Sequence, residues 1–373
     1  MKKIDVRPYE FDASGVSGKA SDVENPKSIT EIKKIVQLHD HICIRGGGSG
    51  LVGGAVPQDD VVIDLSKLNH IGELNEERKT IEVETGVILD DLQSYLERFE
   101  LEFPINPSSH SVCTIGGMIA TDAVGSRAIK YGCTSKWIRW IEVIDGKGNL
   151  SKKGATEISD YAGMEGISGI VVRACLNLIK KKERSGALVP VTTLDSVISL
   201  VKDLKRKENV SMIELISPFV SKGIGLKEKY NIIVEYEDDS GVLKGKEYNR
   251  ILDKRDEAYP FLAGEGFTRI EDPKLLIDKI KNLLIWFELK DIPYFGHLSI
   301  GIVHPCFKKG QEDLISEMMK LVGRVSGQVS GEHGIGILKK EFVDPQDKKI
   351  LTNIKKRTDK VNKFNRGKVL DLE

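Results

Sequence analysis

The chain has 373 residues, a length that favours two domains or one nucleotide-binding domain with a long insertion. Lysine plus arginine and aspartate plus glutamate each number 56, so the formal net charge is zero. Proteins that bind nucleic acids usually carry a basic excess, and we therefore expect no nucleic-acid partner.

The sequence lacks the features of secreted, membrane-spanning and metal-finger proteins. Its five cysteines form no CxxC pair, so neither a zinc finger nor an iron–sulfur cluster is indicated. The N-terminus has no apolar signal-peptide core, and no segment approaches the roughly 18 apolar residues of a membrane helix. We expect a cytoplasmic protein without a transmembrane segment, or one that is peripheral to the inner face of the membrane.

The first half of the chain alternates helical and strand patterns. Ile29, Ile32, Ile35 and Val36 repeat at helical spacing behind Ser28, a residue type that caps helices. Over residues 80–85, apolar and acidic residues alternate as in a half-buried strand. These patterns predict helices at 26–39 and 88–99 and strands at 42–45, 61–65, 80–85, 138–144 and within 167–178.

The pattern changes after the charged segment 180–184. Beyond it the sequence predicts helices at 193–207, 272–289 and 312–325, and strands at 231–236 and 293–302. Such a mixture of segments is typical of an α+β arrangement, and we predict a domain boundary near residue 182.

A glycine-rich run follows the predicted strand 42–45 and offers unshielded backbone N–H groups, which is what a bound pyrophosphate requires. A tight turn or a β-bulge is the alternative interpretation. The residues after the run include Gly53, Gly54 and Pro57 and cannot form the helix of a Rossmann motif, so a nicotinamide cofactor is disfavoured. No Walker pattern is present either.

Several motifs in order resemble a known family. RGGGSGLVGG, PINPSSHSVCTIGGMIATDAVG, IKYG and EGISGIV resemble the FAD-binding domain of the vanillyl-alcohol-oxidase (PCMH) type, in its D-lactate dehydrogenase and glycolate oxidase branch. GHLSIGIVHP, SGEHGIG and FNRGKV resemble the C-terminal domain of the same branch. The resemblance implies a two-domain α+β flavoprotein: an FAD-binding domain over 1–182, a substrate or cap domain with an antiparallel sheet over 183–330, and a C-terminal segment, 331–373, that returns to the FAD domain.

The resemblance also implies which residues bind FAD. Small residues would let main-chain amides approach the phosphates, and a charge-poor loop suits the isoalloxazine ring. The implied cofactor-binding residues are Arg45, Gly46, Gly47, Gly48, Ser49, Gly50, Pro107, Ser108, Thr114, Gly116, Gly117, Gly125, Glu165, Gly166, Gly169, Val171 and Asn365.

Two histidines and a Glu-His pair form the second group of candidate site residues. His297 and His304 lie seven positions apart and flank a predicted strand at 298–303, which puts them on opposite faces unless Gly301 bends the chain. The resemblance implies that His297, His304 and Glu332 bind a divalent metal, zinc or manganese. It further implies that His333 accepts the substrate hydroxyl proton, and an imidazole is a suitable base for this step.

One departure from the family pattern weakens the metal prediction. Ser299, Ile300, Gly301 and Ile302 stand where the family usually has Gly-Asp-Gly-Asn, so polar support for a metal or flavin is missing there and weaker metal binding is expected. Considered singly, His297 and His304 would be ordinary core or surface histidines.

The substrate carboxylate is expected to bind an arginine, whose planar guanidinium matches it. Arg255 and Arg269 are the candidates, with Lys339 as a further one, and the alternative for each is a solvated surface charge.

The expected function is oxidation of a small D-2-hydroxy acid, such as D-lactate or glycolate, by hydride transfer to flavin N5. The electron acceptor would be a quinone, a flavoprotein, a cytochrome or oxygen, and the protein would act as a homo-oligomer or a subunit of a complex. Two alternatives stay open: a non-catalytic or electron-relaying FAD subunit of an oxidase complex, and a metal-free FAD oxidase of a sugar or aldonolactone.

Overall fold

A computed structural model describes residues 4–372. Contacts between Cα atoms divide the chain into two compact units. The first comprises Met1–Ala123, Cys133–Lys181 and Glu332–Glu373, and the second comprises Val124–Gly132 and Lys182–Gly331. The division into functional domains with boundaries at 182 and 330 stays a prediction. The contacts place Val124–Gly132, including Gly125, in the second unit, whereas the prediction placed it in the FAD domain.

The helices and strands are numbered in chain order. The strands are β1 Lys19–Glu24, β2 Ile42–Arg45, β3 Gln58–Asp64, β4 Ile71–Asn75, β5 Thr80–Glu84, β6 Leu101–Glu102, β7 Ile138–Ile144, β8 Leu150–Gly154, β9 Ile170–Asn177, β10 Ile179–Lys180, β11 Ser185–Val191, β12 Val210–Ile216, β13 Tyr230–Tyr236, β14 Leu243–Lys244, β15 Arg269–Ile270, β16 Tyr294–Gly296 and β17 His304–Phe307. The helices are α1 Ile29–Leu38, α2 Leu89–Glu97, α3 Ile115–Thr121, α4 Ala128–Tyr131, α5 Leu194–Leu204, α6 Pro218–Gly223, α7 Gly245–Asp256, α8 Ala258–Gly264, α9 Ile277–Leu289, α10 Glu312–Arg324 and α11 Pro345–Thr358.

The first unit contains a small parallel sheet, ordered β1-β3-β2, and an antiparallel sheet, ordered β4-β5-β9-β7-β8. Helix α1 begins where the Ser28 side chain accepts the N–H of Glu31. The apolar face of this helix packs on the core that also holds Ile42 of β2. Because β2 is fixed in this core and ends at Arg45, the glycine-rich run starts from a rigid point.

The second unit is built on an antiparallel sheet, ordered β14-β11-β13-β12-β16-β17-β15. Strand β12, near its centre, is buried along its whole length. It pairs with β13 on one side and β16 on the other. The short strand β16 continues into β17 through residues 297–303, with His297 at the start of this connection and His304 as the first residue of β17. Because β16 pairs with β12, His297 lies beside the buried strand.

Mixed helices and antiparallel sheets confirm the predicted α+β class. Most predicted elements are present with slightly shifted ends, but the strand predicted at 293–302 is wrong. β16 ends at Gly296, Leu298–Ile300 forms a 3-10 turn, and β17 begins only at His304. The helix predicted from residue 272 begins at Ile277, because residues 272 and 274 instead form β-bridges with residues 302, 328 and 330. No helix within residues 4–372 is long and apolar enough to cross a membrane.

Candidate active site

The glycine-rich run lies against the second predicted FAD segment. A Cβ atom added to Gly46 would approach the Thr114 hydroxyl oxygen to 2.5 Å, and one added to Gly47 would approach the Val112 carbonyl oxygen to 2.1 Å. Gly48 has φ +68°, a conformation that favours glycine. Thr114 in turn caps α3 by accepting the N–H of Gly117 at 3.2 Å. The first unit thus brings together two segments that the sequence analysis assigned to FAD.

The remaining predicted FAD residues are distributed as follows. Arg45 donates to the Phe11 carbonyl at 2.8 Å, and Gly116 and Gly169 pack closely on Thr85 and Val143. Pro107 and Ser108 begin a turn that the His110 N–H closes, and the Val171 carbonyl accepts from Thr85. Ser49 follows Gly48 in the run, and Gly125 belongs to the second unit.

Glu165 is buried and holds the segment that follows the Glu-His pair. Its carboxylate accepts the N–H of Ile335 at 2.6 Å and of Gly336 at 2.9 Å. Burial raises the pKa of Glu165 to about 7, although these hydrogen bonds oppose the shift. The assignment of Glu165 to FAD stays a prediction, and in the structure its carboxylate contacts protein backbone.

Asn365 joins three parts of the first unit. Its side-chain oxygen accepts the N–H of Ile44 at 2.9 Å, and its side-chain N–H donates to the Glu165 carbonyl at 2.7 Å. A Cβ atom on Gly166 would approach this Asn365 nitrogen to 2.8 Å. The C-terminal segment, β2 and the Glu165 turn are therefore fixed together at one residue.

A sharp turn brings His297 and His304 together. Gly301 adopts φ +77° at the end of the 3-10 turn, and a Cβ atom there would lie 1.8 Å from the Leu275 carbonyl oxygen. The two imidazole rings have centroids 5.3 Å apart and are perpendicular. Both histidines are buried, at 3% exposure each. The turn thus brings the two imidazoles to the same side of the chain, whereas a regular strand would place them on opposite faces.

Glu332 completes a group of potential metal ligands. Ligand atoms of His297, His304 and Glu332 all lie within 4.8 Å of one another. Glu332 directly follows Gly331, the last residue of the second unit. Asp272 fixes that end of the chain, because its side chain accepts the Ser330 hydroxyl at 2.9 Å and the Gly331 N–H at 2.9 Å. In the part of the chain that the structure describes, this is the one group of three or more such side chains with metal-ligand spacing.

His333 lies next to the acidic ligand candidate. Its Nε2 atom is 3.7 Å from a carboxylate oxygen of Glu332, and both side chains are largely buried. The Cβ position of Gly334, the next residue, is 2.8 Å from the Glu165 carboxylate. Asp272 therefore fixes the residues just before the Glu-His pair, and Glu165 fixes the residues just after it.

The sequence analysis did not identify Glu214, which lies on β12 and is 1% exposed. One carboxylate oxygen accepts a hydrogen bond from Nδ1 of His297, and the other accepts from Nε and Nη2 of Arg255 at 3.2 and 3.1 Å. Burial opposes ionisation, but His297 and Arg255 outweigh it and hold the pKa of Glu214 at about 2. The sequence analysis predicts no strand over residues 210–216 and contains no signal that Glu214 is buried.

The arginines expected to bind substrate make strong contacts within the protein. Besides Glu214, Arg255 donates to Asp256 at 2.8 Å, and Arg269 donates to the fully buried Glu271 at 2.6 Å. Lys339 is 1% exposed and is not the solvated surface charge of the alternative interpretation. The substrate role of Arg255 and Arg269 stays a prediction, and their contacts favour structural roles.

Two known protein families match separate parts of this chain. The FAD-binding domain family matches residues 21–153, and the C-terminal domain family of FAD-linked oxidases matches residues 270–369. The chain thus combines an FAD-binding domain with the C-terminal domain of FAD-linked oxidases. The second match covers His297, His304, Glu332 and His333, and the family predicted from the sequence is confirmed.

Curated proteins similar to this chain match it over nearly its whole length. A D-lactate dehydrogenase of Archaeoglobus fulgidus is 26% identical over 97% of this chain and 95% of that protein. A glycolate oxidase subunit of Bacillus subtilis is 24% identical over 97% and 91%, respectively. A D-2-hydroxyglutarate dehydrogenase of Stutzerimonas stutzeri is 23% identical over 92% and 89%, respectively. These relatives support the coarse prediction of an FAD-dependent hydroxy-acid dehydrogenase.

The backbone at Gly50 leaves room for the cofactor. The protein atom nearest to its Cβ position is an Asp12 carboxylate oxygen, 4.0 Å away. A side chain at Gly50 would enter space that the protein itself does not fill. Main-chain amides that border such space suit a phosphate-bearing ligand, so the residues present fit FAD.

Proposed function

We propose that this FAD-linked oxidase oxidises a small D-2-hydroxy acid, such as D-lactate or glycolate, to the corresponding 2-oxo acid. The observation that carries the proposal is the cluster of His297, His304 and Glu332 within 4.8 Å, followed directly by His333. A sugar oxidase of the same family would not need this cluster. The names of the curated relatives, which include D-lactate, glycolate and D-2-hydroxyglutarate enzymes, support the same substrate class.

The cofactor would lie against the glycine run and the α3 segment. Main-chain amides of the glycine run, including those of Gly46 and Gly50, would hold the pyrophosphate, because glycine has no side chain to shield them. Bound FAD would accept the hydride from C2 of the substrate at its N5 atom. Asn365 and Glu165 would support this region through their contacts with β2 and the Gly-Glu-His-Gly segment.

His297, His304 and Glu332 would hold a divalent metal, zinc or manganese. Two imidazoles and one carboxylate fit such an ion and leave coordination positions for a hydroxy acid. The bound metal would orient the substrate and acidify its hydroxyl group. The Ser299 hydroxyl, in the turn beside His297, is buried without a hydrogen-bond partner among the described residues, so a polar ligand would be accommodated there.

His333 would act as the base. The hydroxyl proton would pass to its imidazole while the hydride leaves C2, so that the substrate loses two electrons and two hydrogen nuclei and becomes the 2-oxo acid. Its position beside Glu332 would keep the base adjacent to the metal ligand, and Glu165 would keep the backbone of this segment in place.

An anaerobic titration of the FAD-loaded protein tests the proposal. D-lactate, L-lactate, glycolate and D-2-hydroxyglutarate are added with zinc or manganese present or removed by a chelator, and flavin bleaching at its visible absorption band is followed. We expect bleaching by at least one D-acid or glycolate with metal present and little or none after chelation. Bleaching by none of the acids would overturn the proposal and favour a non-catalytic FAD subunit. Chelator-resistant bleaching by a sugar or aldonolactone would instead favour a metal-free oxidase.

His333→Asn tests the role of the base separately. We expect flavin reduction to slow by roughly 10²- to 10⁴-fold, the usual contribution of a positioned base, with FAD and zinc still bound. His39→Asn is the matched control, because His39 is partly exposed, lies 3.9 Å from Glu24 and is outside both the metal cluster and the segments assigned to FAD. A His333→Asn variant that is reduced at the wild-type rate would exclude His333 as the base.

A further inference from the structure

Glu214 and His297 are neighbours because of the strand register. Leu215 of β12 pairs with Gly296 of β16, so the next residues, Glu214 and His297, lie side by side across the two strands. Both side chains are almost completely buried, at 1% and 3% exposure. Nδ1 of His297 is engaged by the carboxylate, which leaves Nε2 as the ring nitrogen that can bind a ligand.

Arg255 fixes the other half of the Glu214 carboxylate. His297 bonds to Oε1, whereas both guanidinium contacts go to Oε2, at 3.2 and 3.1 Å. Arg255 is itself 11% exposed at its side chain and is also held by Asp256. Each oxygen therefore has its own partner, and the carboxylate cannot rotate without losing one of them. Arg255 also balances the charge of the carboxylate, so the pair adds no net charge beside the histidine.

We infer that Glu214, clamped by Arg255, is a positioning residue that sets the tautomer and ring orientation of His297 for metal binding. The inference rests on the proposed metal site of His297, His304 and Glu332. A hydrogen bond from the second ring nitrogen to a carboxylate fixes a ligand histidine and makes it a better donor. The support comes from β12, outside the segment between the two histidines, where Ile300 and Ile302 replace the polar residues expected from the family pattern.

The second unit contains a matched control for this arrangement. Glu235, on the adjacent strand β13, is also fully buried and accepts from an arginine, Arg127, at 2.7 and 3.0 Å. Its other partners are the Ser211 hydroxyl at 2.7 Å, the Tyr248 hydroxyl at 2.8 Å and a second arginine, Arg184, whose Nε atom lies 3.5 Å away. Glu235 thus shares the burial and the arginine of Glu214 but bonds to hydroxyl groups where Glu214 bonds to His297.

Zinc affinity of the FAD-loaded protein tests the inference. Wild type, Glu214→Gln, Glu214→Asp and Glu235→Gln are stripped of metal and titrated with Zn²⁺ against a chromophoric chelator, and the visible absorption of the Co²⁺ forms is recorded. We expect Glu214→Gln to bind zinc about 10- to 100-fold more weakly, as is usual when the partner of a ligand histidine is removed. Glu214→Asp, whose carboxylate is one methylene too short to reach both partners, should weaken zinc binding in the same direction. The Co²⁺ spectrum of both variants should differ from that of the wild type, whereas Glu235→Gln should match the wild type in affinity and spectrum.

Each other result contradicts a specific part of the inference. Wild-type affinity and an unchanged Co²⁺ spectrum in Glu214→Gln would overturn the positioning role. An equal loss of zinc affinity in Glu235→Gln would show that burial of any carboxylate in this sheet matters, and would also overturn it. If the amide variant does not fold, Glu214→Asp decides the question, because it retains the charge that balances Arg255. A wild-type protein that binds no zinc would overturn the proposed metal site and this inference together, while the flavin titration would still test the hydroxy-acid activity.

Discussion

Two buried glutamates, one in each unit, hold different parts of the candidate site by different means. Glu214 of the second unit holds the side chain of His297 and is paired with Arg255. Glu165 of the first unit holds the backbone N–H groups of Ile335 and Gly336, just beyond the Glu-His pair. One carboxylate therefore orients a side chain, and the other fixes a loop.

The partners give these two carboxylates opposite protonation behaviour. His297 and Arg255 outweigh the cost of burial and keep the pKa of Glu214 at about 2. At Glu165 burial dominates over the backbone hydrogen bonds and raises the pKa to about 7. Both carboxylates are buried, so the difference comes from their partners. Cationic partners keep Glu214 ionised, whereas the backbone amides at Glu165 do not offset the effect of burial on its pKa.

The two shifts have opposite consequences for stability. A lowered pKa stabilises the fold at pH values above the unfolded-state value of 4.5, and Glu214 loses this contribution as the pH falls towards 2. A raised pKa stabilises the fold below 4.5, and Glu165 loses this contribution as the pH rises from 4.5 to about 7.

Removing Glu214 should have the largest effect. Glu214→Ala leaves the buried Arg255 guanidinium without its main partner, and we expect the free energy of unfolding at neutral pH to fall by about 3–5 kcal/mol. Denaturant-induced unfolding of the FAD-loaded protein measures it. Glu247→Ala, an exposed change on the same helix as Arg255, should stay within about 0.5 kcal/mol of the wild type. A loss below about 1 kcal/mol for Glu214→Ala would show that the ion pair is not held as described.

Glu165→Gln should remove the part of the pH dependence of the free energy of unfolding that comes from Glu165. Between pH 4.5 and about 7, Glu165 ionises in the unfolded wild-type chain but stays protonated in the folded one. The free energy of unfolding of the wild type, relative to that of the variant, should therefore fall by about 3 kcal/mol over this interval and stay level above it. Unfolding of both proteins at several pH values gives this difference directly. A difference that is constant or rises with pH would contradict the raised pKa of Glu165.

The parts of this molecule that the sequence predicted are those encoded by local patterns. Helix α1 is predicted by the spacing of its apolar residues and by its serine cap. The glycine run of 46–50 can be recognised because the residues proposed to contact a phosphate are contiguous in the sequence. The family resemblance added the Glu-His pair and the histidines. Their residue types are fixed by chemistry and can be recognised without knowledge of the fold.

The parts that were missed depend on contacts between distant residues. Glu214 lies 83 positions from His297, and only the pairing of β12 with β16 makes them neighbours. The apolar residues around Gly301 fit a strand pattern, so the sequence predicts a strand and leaves a bend at Gly301 as the alternative. The close approach of Gly301 to the Leu275 carbonyl decides for the turn. Arg255 was assigned to the substrate because a sequence shows a charge but not the buried carboxylate that pairs with it.

The smallest predicted effect tests the loop held by Glu165. Gly334 and Gly310 have nearly the same backbone conformation, with φ +87° and +88°, but a Cβ atom would be 2.8 Å from the Glu165 carboxylate at Gly334 and would meet nothing within 4 Å at Gly310. Gly310→Ala should therefore cost only the strain of a left-handed alanine, about 1 kcal/mol. Gly334→Ala should cost about 1.5 kcal/mol more, because it displaces a carboxylate that accepts two hydrogen bonds.

The pH dependence of unfolding separates these two contributions to the cost of Gly334→Ala. If the new methyl group pushes Glu165 out of its buried position, the carboxylate regains water, and the fall in stability between pH 4.5 and about 7 should become shallower than in the wild type. Gly310→Ala should keep the wild-type slope. Equal costs and equal slopes for the two variants would mean that Glu165 is not required to hold the loop that carries His333, and that the firm clamp on the site is the one at Glu214.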